Sequence, residues 1–353
     1  MIMPKINKHI EIVHSSKATL SSMGSQYAGM VETILSQSYS TVGVSVVNTI
    51  GELDQVISRR PDLLFLGIKR LPVDAAATGS PLVWVADYLD QQQITYTGSP
   101  GAAIALDFDK LGAKLAVLNA NVKTAAAFMA SPHSFKTAAE IPLAFPLFVK
   151  PPSAGGGQGI GPGSVTRDFT QFQAAVVAVD RKFSSLALVE SYLPGREFSV
   201  GVIKPLTSSR LLALPVELIA SENENGDRIL GRSAKKADNE RVEAVTDAGL
   251  RAAISDLAVS AFGAMGARDY GRIDIRLDDT GTPNFLEANL IPGLHNRTSY
   301  FTKAYQLNLG LGYEDMILHV AELGLMRAVT TAQTLNNAAF LNYPSTLGSR
   351  LPA

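Results

Sequence analysis

The chain of 353 residues contains no cysteine. This absence excludes disulfide bonds, thiolate metal ligands and a cysteine nucleophile. An excess of one charge is also missing, because 31 basic and 32 acidic side chains give a formal net charge of −1. The composition therefore indicates neither a basic surface for nucleic acid nor one for anionic membranes. We expect no nucleic acid and no membrane among the partners.

Long apolar runs are absent as well. No segment approaches the roughly 18 apolar residues that a membrane-spanning helix requires. The N-terminal segment MIMPKINKHIEIVHSSK is broken by His, Glu and Lys, unlike a secretory signal. Hydrophobic residues nevertheless make up 46% of the chain, which is typical of a globular protein with a sizeable core. These features predict a soluble, cytoplasmic protein of two or three domains, at roughly 100–200 residues per domain.

The first hundred residues alternate between β-rich and helical stretches. Strands are predicted at 9–13, 41–48, 62–68 and 93–99, and helices at 27–37 and 81–92. This alternation favours a parallel sheet covered by helices. We therefore predict an N-terminal α/β domain at about 1–103.

The remaining chain predicts a second α/β unit. A helix should begin near Asp107 or Asp109, because either can serve as an N-cap. Further helices are predicted at 168–180, about 241–264 and near 313–327, and strands at 146–151, 186–193, 196–203, 210–219, 271–278 and 284–290. The polar segment 221–240 predicts a long surface loop.

Two polar pairs lie on neighbouring strands joined by an Asp-Thr-Gly turn. Arg272 and Asp274 alternate on the first strand, and Glu287 and Asn289 alternate on the second. Residues two apart share a strand face, and antiparallel pairing can bring both pairs to one end. The three oxygen ligands suit Mg²⁺, while the arginine would stabilise an anionic transition state. The alternative is a surface cluster of ion pairs.

A lysine precedes the most glycine-rich stretch, VKPPSAGGGQGIG. Backbone N–H groups of such a loop can approach phosphate oxygens while Lys150 neutralises charge. The stretch lacks the Gly-Lys-Ser/Thr of a Walker A loop, and its Lys-Pro-Pro start does not fit a dinucleotide-binding loop. Taken alone, it is equally compatible with a glycine-rich linker.

Two glutamates flank the Pro-Gly turn of LVESYLPGREFSV. Glu190 ends an apolar strand and could face an adenine amine, and Glu197 could face ribose hydroxyls. The alternative is a pair of ordinary strand-flanking carboxylates. Lys110 in DFDKLGAK is, taken alone, compatible with a solvated helix lysine.

The order of these four segments resembles that of the ATP-grasp superfamily, and within it the D-alanine–D-alanine ligase family, from about Gly98 to about Leu325. The resemblance implies a three-domain α/β ATP-grasp fold that starts with an N-terminal parallel domain at 1–103. ATP would lie between a central domain at 104–187, which carries the lid, and a C-terminal α+β domain at 188–330. Residues 331–353 would form a tail.

The resemblance also assigns a role to each group of residues. Those implied at the ATP phosphates and in the lid are Lys110, Lys150, Gly155, Gly156 and Gly157. Those implied at the adenine and ribose are Glu190, Tyr192, Leu193 and Glu197. Those implied at magnesium, with two ions expected and manganese as a substitute, are Asp274, Glu287 and Asn289. Those implied in catalysis are Arg272, Lys235 and the backbone near Gly293.

These parts imply a reaction through an acyl-phosphate. The ATP γ-phosphate is transferred to a substrate carboxylate, and an amine then attacks the activated carbonyl. Arg272 and N–H groups near Gly293 would stabilise the tetrahedral oxyanion. The lid would exclude water, which hydrolyses acyl-phosphates. The expected partners are a small carboxylate, a small amine and, because the family is commonly dimeric, a second copy of the chain.

The chain departs from the family around the acyl donor. Family members carry a Ser-x-Glu pattern near the N-terminus, a pair of serines in the lid and Ala-Lys-Tyr in the long loop. Here the stretch 14–29 contains no acid, the lid serines are replaced by Gly156 and Gly157, and Lys236 replaces the tyrosine. The joint loss of these linked groups indicates an altered acyl-donor pocket.

The segment after the Pro-Gly turn, LHNRTSYF, also differs from the family. It keeps hydroxyl groups at Thr298 and Ser299 and adds His295 and Arg297. The arginine could bind a carboxylate bidentately, although a surface arginine is equally compatible. Together with Lys17, these residues are our candidates for substrate binding.

We therefore predict an ATP-dependent carboxylate–amine ligase of the D-alanine–D-alanine ligase type with altered substrate choice. Its product would be an amide or dipeptide-like compound of specialised biosynthesis. One alternative is a divergent D-alanine–D-alanine ligase of cell-wall synthesis. A second is a nucleotide-binding partner protein without catalysis, although a mere binder would not need Arg272.

Overall fold

The computed structural model describes residues 4–74, 79–231 and 240–335, with side chains to residue 328. The described strands are β1 (Ile6–His14), β2 (Tyr39–Val46), β3 (Leu63–Leu66), β4 (Arg70–Pro72), β5 (Leu82–Trp84), β6 (Ala127–Ala130), β7 (Leu147–Lys150), β8 (Val165–Thr166), β9 (Ala187–Ser191), β10 (Glu197–Ile203), β11 (Leu212–Ile219), β12 (Arg241–Ala244), β13 (Tyr270–Leu277) and β14 (Pro283–Asn289). The described helices are α1 (Ser25–Ser38), α2 (Ile50–Ile57), α3 (Val85–Gln91), α4 (Gly101–Ala105), α5 (Lys110–Asn119), α6 (Phe169–Phe183), α7 (Ala248–Ala264), α8 (Tyr300–Leu309) and α9 (Tyr313–Leu335).

The N-terminal sheet is parallel, with the strand order β2-β1-β3. Its central strand β1 is buried from Ile10 to His14, as expected for a strand covered on both faces. The predicted strand at 93–99 is wrong, since only Tyr96 forms a single bridge, to Leu64. Left-handed backbone at Gln93 and Gly98 confines the extended part to a few residues. The helix predicted from 81 begins at Val85, because Leu82–Trp84 pairs with β4 as a hairpin.

The two later large sheets are antiparallel. One has the order β6-β9-β7-β8, and the other has the order β12-β11-β10-β13-β14. The predicted α/β fold, with a parallel sheet at its N-terminus and an ATP-grasp α+β part after it, is therefore confirmed. The helix predicted at about 241–264 is shorter than expected, because Arg241–Ala244 pairs with β11. The helix starts after Asp247, whose side chain accepts a hydrogen bond from the Leu250 amide.

The choice between Asp107 and Asp109 as N-cap of α5 is settled by their contacts. Asp109 accepts a hydrogen bond from the Gly112 amide at 2.8 Å and caps the helix. The side chain of Asp107 is buried, lies 2.7 Å from the Lys69 ammonium and accepts from the Leu290 amide at 3.1 Å. Burial raises the pKa of the Asp107 carboxyl. Asp107 therefore connects Leu290, just after β14, to Lys69, which lies between β3 and β4.

None of the described helices combines the length and apolar character needed to cross a bilayer.

Protonation of the buried His319 should lower the stability of the fold. The Nε2 atom of His319, in α9, lies 2.8 Å from the Lys204 carbonyl oxygen, and Nδ1 lies 3.2 Å from the Tyr305 hydroxyl. A neutral ring satisfies both contacts by donating to the first and accepting from the second. Burial lowers the pKa of His319 from 6.5 to about 4. The folded state therefore binds this proton less tightly than the unfolded chain.

We expect stability to fall as the pH drops from 6.5 towards 4, because the unfolded state takes up the proton first in that window. At pH 4.5 the loss from this residue should be about 2–3 kcal/mol. His319→Gln keeps a donor and an acceptor but does not titrate. The measurement is urea unfolding of both proteins at pH 7 and pH 4.5. Equal losses in both proteins would contradict the assignment.

Candidate active site

The predicted polar pairs lie opposite each other on the β13–β14 hairpin. Asp274 is directly across from Glu287, and Arg272 is across from Asn289. A register shift just beyond Asp274 leaves the four side chains as two aligned pairs. The hairpin therefore presents two carboxylates, one amide and one guanidinium at one end of the sheet.

The Asp274 carboxylate is fixed by two neighbours. Both of its oxygens accept hydrogen bonds from Arg272, at 2.9 Å each, and Oδ1 also accepts from the Ser199 hydroxyl at 2.7 Å. Ser199 stands opposite Asp274 on β10, on the other side of β13. The bidentate pair holds the arginine fork in a fixed plane over the strand end.

Lys110 connects this hairpin to the glycine-rich segment. Its buried ammonium donates to the Ala154 carbonyl at 2.8 Å and lies 3.5 Å from Glu287. Two residues beyond Ala154 the backbone enters left-handed conformation, with φ of 63° at Gly156 and 72° at Gly157. Only glycine adopts such a pair readily. Gly155 and Gly156 face open space, since a Cβ atom added at either would meet no other atom within 4 Å.

Lys150 and Glu190 form part of a buried charge triad. Each of two ammonium groups, on Lys150 and Lys114, lies 2.8 Å from the Glu190 carboxylate. Burial alone would raise the pKa of Glu190, but the two ammonium groups outweigh it and the pKa is lowered. Burial lowers the pKa of the Lys114 ammonium. We did not predict Lys114, although its position one helical turn after Lys110 was a usable signal.

A cavity gathers most of the residues predicted for ATP and metal. Those lining it are Lys150, Gly157, Glu190, Tyr192, Leu193, Glu197, Asp274 and Glu287. Lining residues that were not predicted include Phe148, Ile160, Leu230, Arg276 and Leu286. The rings of Phe148 and Tyr192 are nearly parallel, at 11°, with centroids 6.4 Å apart. The cavity is therefore lined by aromatic and aliphatic side chains together with charged ones.

The N-terminal loop reaches the Pro-Gly turn that holds Gly293. The His295 ring stacks on Tyr27 at 3.9 Å between centroids and donates to the Ser22 carbonyl. Burial lowers the pKa of His295. A Cβ atom on Gly293 would lie 3.6 Å from the Ser22 carbonyl oxygen. The acid-free stretch His14–Gly29 is therefore in contact with the turn implied in oxyanion binding.

The predicted substrate residues differ in their surroundings. Ser299 donates its hydroxyl hydrogen to the Gly293 carbonyl and fixes the turn. Lys17, Arg297 and Thr298 are exposed. Neither Lys17 nor Arg297 makes an ion pair with another residue in the described part of the chain. Lys235 and Lys236 lie outside the described residues.

Glu240 and Tyr300 form a site pair that sequence reasoning missed. The buried Tyr300 hydroxyl donates to Glu240, and the tyrosine ring lies 5.3 Å from the Arg272 guanidinium. Burial and the Glu240 carboxylate raise the pKa of Tyr300 far above its usual value. No local spacing connects two residues 60 positions apart. Tyr300 therefore connects the Glu240 carboxylate to Arg272.

The donor set of the hairpin fits a hard divalent cation. Arg272 and Lys110 each lie beside one of the two opposed carboxylates, and the carboxylate oxygens that these contacts leave over can bind a cation. Within the described ranges no three His, Cys, Asp or Glu side chains cluster for a metal. The candidate ligands are the carboxylates of Asp274 and Glu287 and the amide oxygen Oδ1 of Asn289, which the strand pairing places at one end of the hairpin. Oxygen ligands of this kind are those that Mg²⁺ prefers.

Comparison with known proteins agrees with this geometry. Residues 112–322 match the family model described as D-ala D-ala ligase C-terminus. The chain belongs to the D-alanine–D-alanine ligase family. It is accordingly an ATP-dependent ligase that forms a C–N bond, and members of this family use ATP and divalent metal ions.

Relatives and solved structures extend the match over most of the chain. The D-alanine–D-alanine ligase of Hydrogenovibrio crunogenus is 31% identical over 67% of this chain and 72% of that enzyme. The ATP complex of the Bacillus anthracis D-alanine–D-alanine ligase superposes with a TM-score of 0.70 at 17% identity, over 93% of this chain and all of that one. The Coxiella burnetii ligase gives 0.65 at 16% identity, over 94% and 97% of the two chains. The two structural likenesses show a shared ATP-grasp fold.

Proposed function

We propose that this ligase activates a small carboxylate as its acyl-phosphate and joins it to an amine, and that its acyl donor differs from D-alanine. The donor would lack a free ammonium group beside its carboxylate, or would carry an extra negative group. The product would be an amide or dipeptide-like compound of specialised biosynthesis. We also propose the domain division 1–103, 104–187 and 188–330, a homodimer and a cytoplasmic location.

The proposed ATP site uses the cavity described above. The phosphates would be held by Lys110 and Lys150 under the glycines, and the base would lie near Glu190, Tyr192 and Leu193. Glu197 would accept hydrogen bonds from the ribose. Asp274, Glu287 and Asn289 would hold magnesium, with two ions proposed. Bound there, magnesium supplies positive charge that offsets the triphosphate.

In the reaction, the chain positions the γ-phosphate and the carboxylate so that phosphoryl transfer gives an acyl-phosphate and ADP. The amine then attacks the acyl carbon, and phosphate leaves with the C–O bond electrons. Arg272, held in plane by Asp274, would donate to the oxyanion formed in this step. The N–H groups near Gly293 would contribute from the other side.

The acyl-donor proposal is supported by the contact between His14–Gly29 and the Gly293 turn. The stretch offers Lys17 and no acid, while a buried ammonium without a carboxylate partner costs several kcal/mol. The acid Glu240 accepts the Tyr300 hydroxyl hydrogen, and the Tyr300 ring lies beside Arg272. The N-terminal wall of the pocket is therefore neutral or basic.

We expect D-alanine to be a poor acyl donor, with kcat/KM at least about 100-fold below that of the best donor, because the missing ion pair is worth several kcal/mol. The measurement is phosphate release from ATP and magnesium with D-alanine alone. The comparison panel pairs N-blocked, β-amino and dicarboxylic acids with amines.

Three further results would separate the alternatives. Robust formation of D-alanyl-D-alanine would favour the alternative of a divergent D-alanine–D-alanine ligase of cell-wall synthesis and would refute the altered acyl-donor pocket. If D-alanine is used and Glu240→Gln abolishes that use, Glu240 supplies the missing carboxylate. ATP binding without turnover on any pair would favour the alternative of a catalytically inactive nucleotide-binding partner.

A further inference from the structure

Arg276 is a buried cation in the wall of the cavity, beside residues that we propose for the nucleobase and the ribose. It follows Arg272 and Asp274 at the next alternate position of β13, so the three share one strand face. Only 6% of its surface is exposed, and it lines the cavity beside Tyr192 and Glu197. Neither the predicted ATP contacts nor the proposed chemistry uses this residue.

The Arg276 guanidinium makes contacts in two directions. Nη1 donates to the Glu197 carboxylate at 3.0 Å, and Nη2 donates to the Arg228 carbonyl at 2.9 Å. Its Nε is buried and has no hydrogen-bond partner among described residues. Its central carbon lies 5.6 Å from the Tyr192 ring centroid. One planar fork therefore fixes both a carboxylate and a main-chain carbonyl.

The carbonyl belongs to residues 220–231, which we term the anchored segment. Buried Asp227 accepts a hydrogen bond from Arg167 at 2.8 Å, and Leu230 lines the cavity. At Gly231 a Cβ atom would lie 2.6 Å from the Ile160 carbonyl oxygen, so the segment packs closely on the glycine-rich stretch. The anchored segment is thus part of the cavity wall, and Arg276 is hydrogen-bonded to its main chain at Arg228.

We propose that Arg276 is a positioning residue that orients Glu197 towards the ribose hydroxyls and fixes the anchored segment at the same time. The inference rests on the proposed nucleotide site. A carboxylate held by a rigid cation offers its remaining lone pairs in a fixed direction, which favours a ligand with a donor at that place. The 2′-hydroxyl of the nucleotide is such a donor, and 2′-deoxy-ATP lacks it.

The test is equilibrium binding of ATP and of 2′-deoxy-ATP, each with magnesium and without acyl donor or amine. The wild-type protein should bind ATP about tenfold more tightly than 2′-deoxy-ATP, as expected for a hydrogen bond to a charged group. In Arg276→Met the ATP Kd should rise about tenfold and the preference should fall to about twofold or less. Arg276→Lys, which keeps the charge without the fork, should give intermediate values.

Glu197→Gln with and without Arg276→Met tests whether the arginine acts through the glutamate. The effects of the two changes on the preference for ATP over 2′-deoxy-ATP should be strongly non-additive. The double variant should lose no more of this preference than Glu197→Gln alone. This double variant removes both members of the ion pair, so it leaves no unpaired charge and remains informative if Arg276→Met alone does not fold. Additive losses would overturn the proposal.

Arg196→Met is the matched control, because Arg196 is half-exposed and pairs with Glu217 instead. Arg196→Met should keep the preference of the wild-type protein for ATP over 2′-deoxy-ATP. Trypsin cleavage after Arg228, located by mass spectrometry, should be faster in Arg276→Met than in this control. An unchanged preference and an unchanged cleavage rate in Arg276→Met would overturn the proposal. Failure of the wild-type protein to bind either nucleotide would instead refute the proposed function.

Discussion

Glu287→Ala is expected to reduce turnover by about a thousandfold or more, because loss of one ligand leaves the divalent cation and the triphosphate under-coordinated. Glu287 stands directly opposite Asp274 and lies 3.5 Å from the Lys110 ammonium. Its removal therefore also leaves that lysine without its carboxylate partner. The measurement is phosphate release with ATP, magnesium and the best substrate pair.

The fold should survive this change, since the Glu287 side chain is 24% exposed and sits at a strand end. Melting without nucleotide should shift by only a few degrees, because an incompletely buried ion pair contributes about 1 kcal/mol or less. Glu243→Ala is a matched control in the same sheet, on edge strand β12, where Glu243 pairs with Arg241 at the surface. Turnover like that of the wild type in Glu287→Ala would refute the metal assignment.

The hairpin could be predicted from the sequence because its information is local. Period-2 alternation places Arg272 with Asp274 and Glu287 with Asn289 on one face of each strand, and the short turn joins the strands antiparallel. The direct pairing of Asp274 with Glu287 could not be predicted in this way, because it depends on the register shift between Asp274 and Ile275. The same locality explains the N-cap of α5 and the parallel start of the fold, where alternating strands and helices suffice to predict the class.

Other site features depend on contacts between distant segments. The Glu240–Tyr300 pair and the Asp107–Leu290 contact join residues far apart in sequence, so no periodic pattern announces them. Segments 93–99 and 241–247 were misassigned because left-handed turns and edge pairing overrode their local propensity. By contrast, Lys114 and Arg276 lie at helix and strand spacing from predicted residues. Lys114 lies one helical turn after Lys110, and Arg276 lies two residues after Asp274 on the same strand face, so both could have been found from the predicted residues.

Lys150→Ala is expected to weaken ATP binding about 100-fold, because a point charge on phosphate oxygens in a water-poor cavity is worth a few kcal/mol. The ammonium of Lys150 is buried and held at 2.8 Å by Glu190. Glu190 keeps a second cation, Lys114, also at 2.8 Å. The carboxylate therefore stays compensated after the substitution, and the loss of affinity should appear without a comparable loss of stability.

Lys123→Ala provides the comparison, since Lys123 is exposed and its main chain, not its ammonium, contacts Phe285. Binding of ATP with magnesium, measured by calorimetry, should be unchanged in this variant and weakened in Lys150→Ala. Lys114→Met is a second comparison. It removes the other cation that pairs with Glu190, but Lys114 is not a predicted phosphate contact. It should destabilise the fold more than Lys150→Ala does and weaken ATP binding less. Equal affinity losses in Lys150→Ala and Lys123→Ala would show that Lys150 does not bind the phosphates.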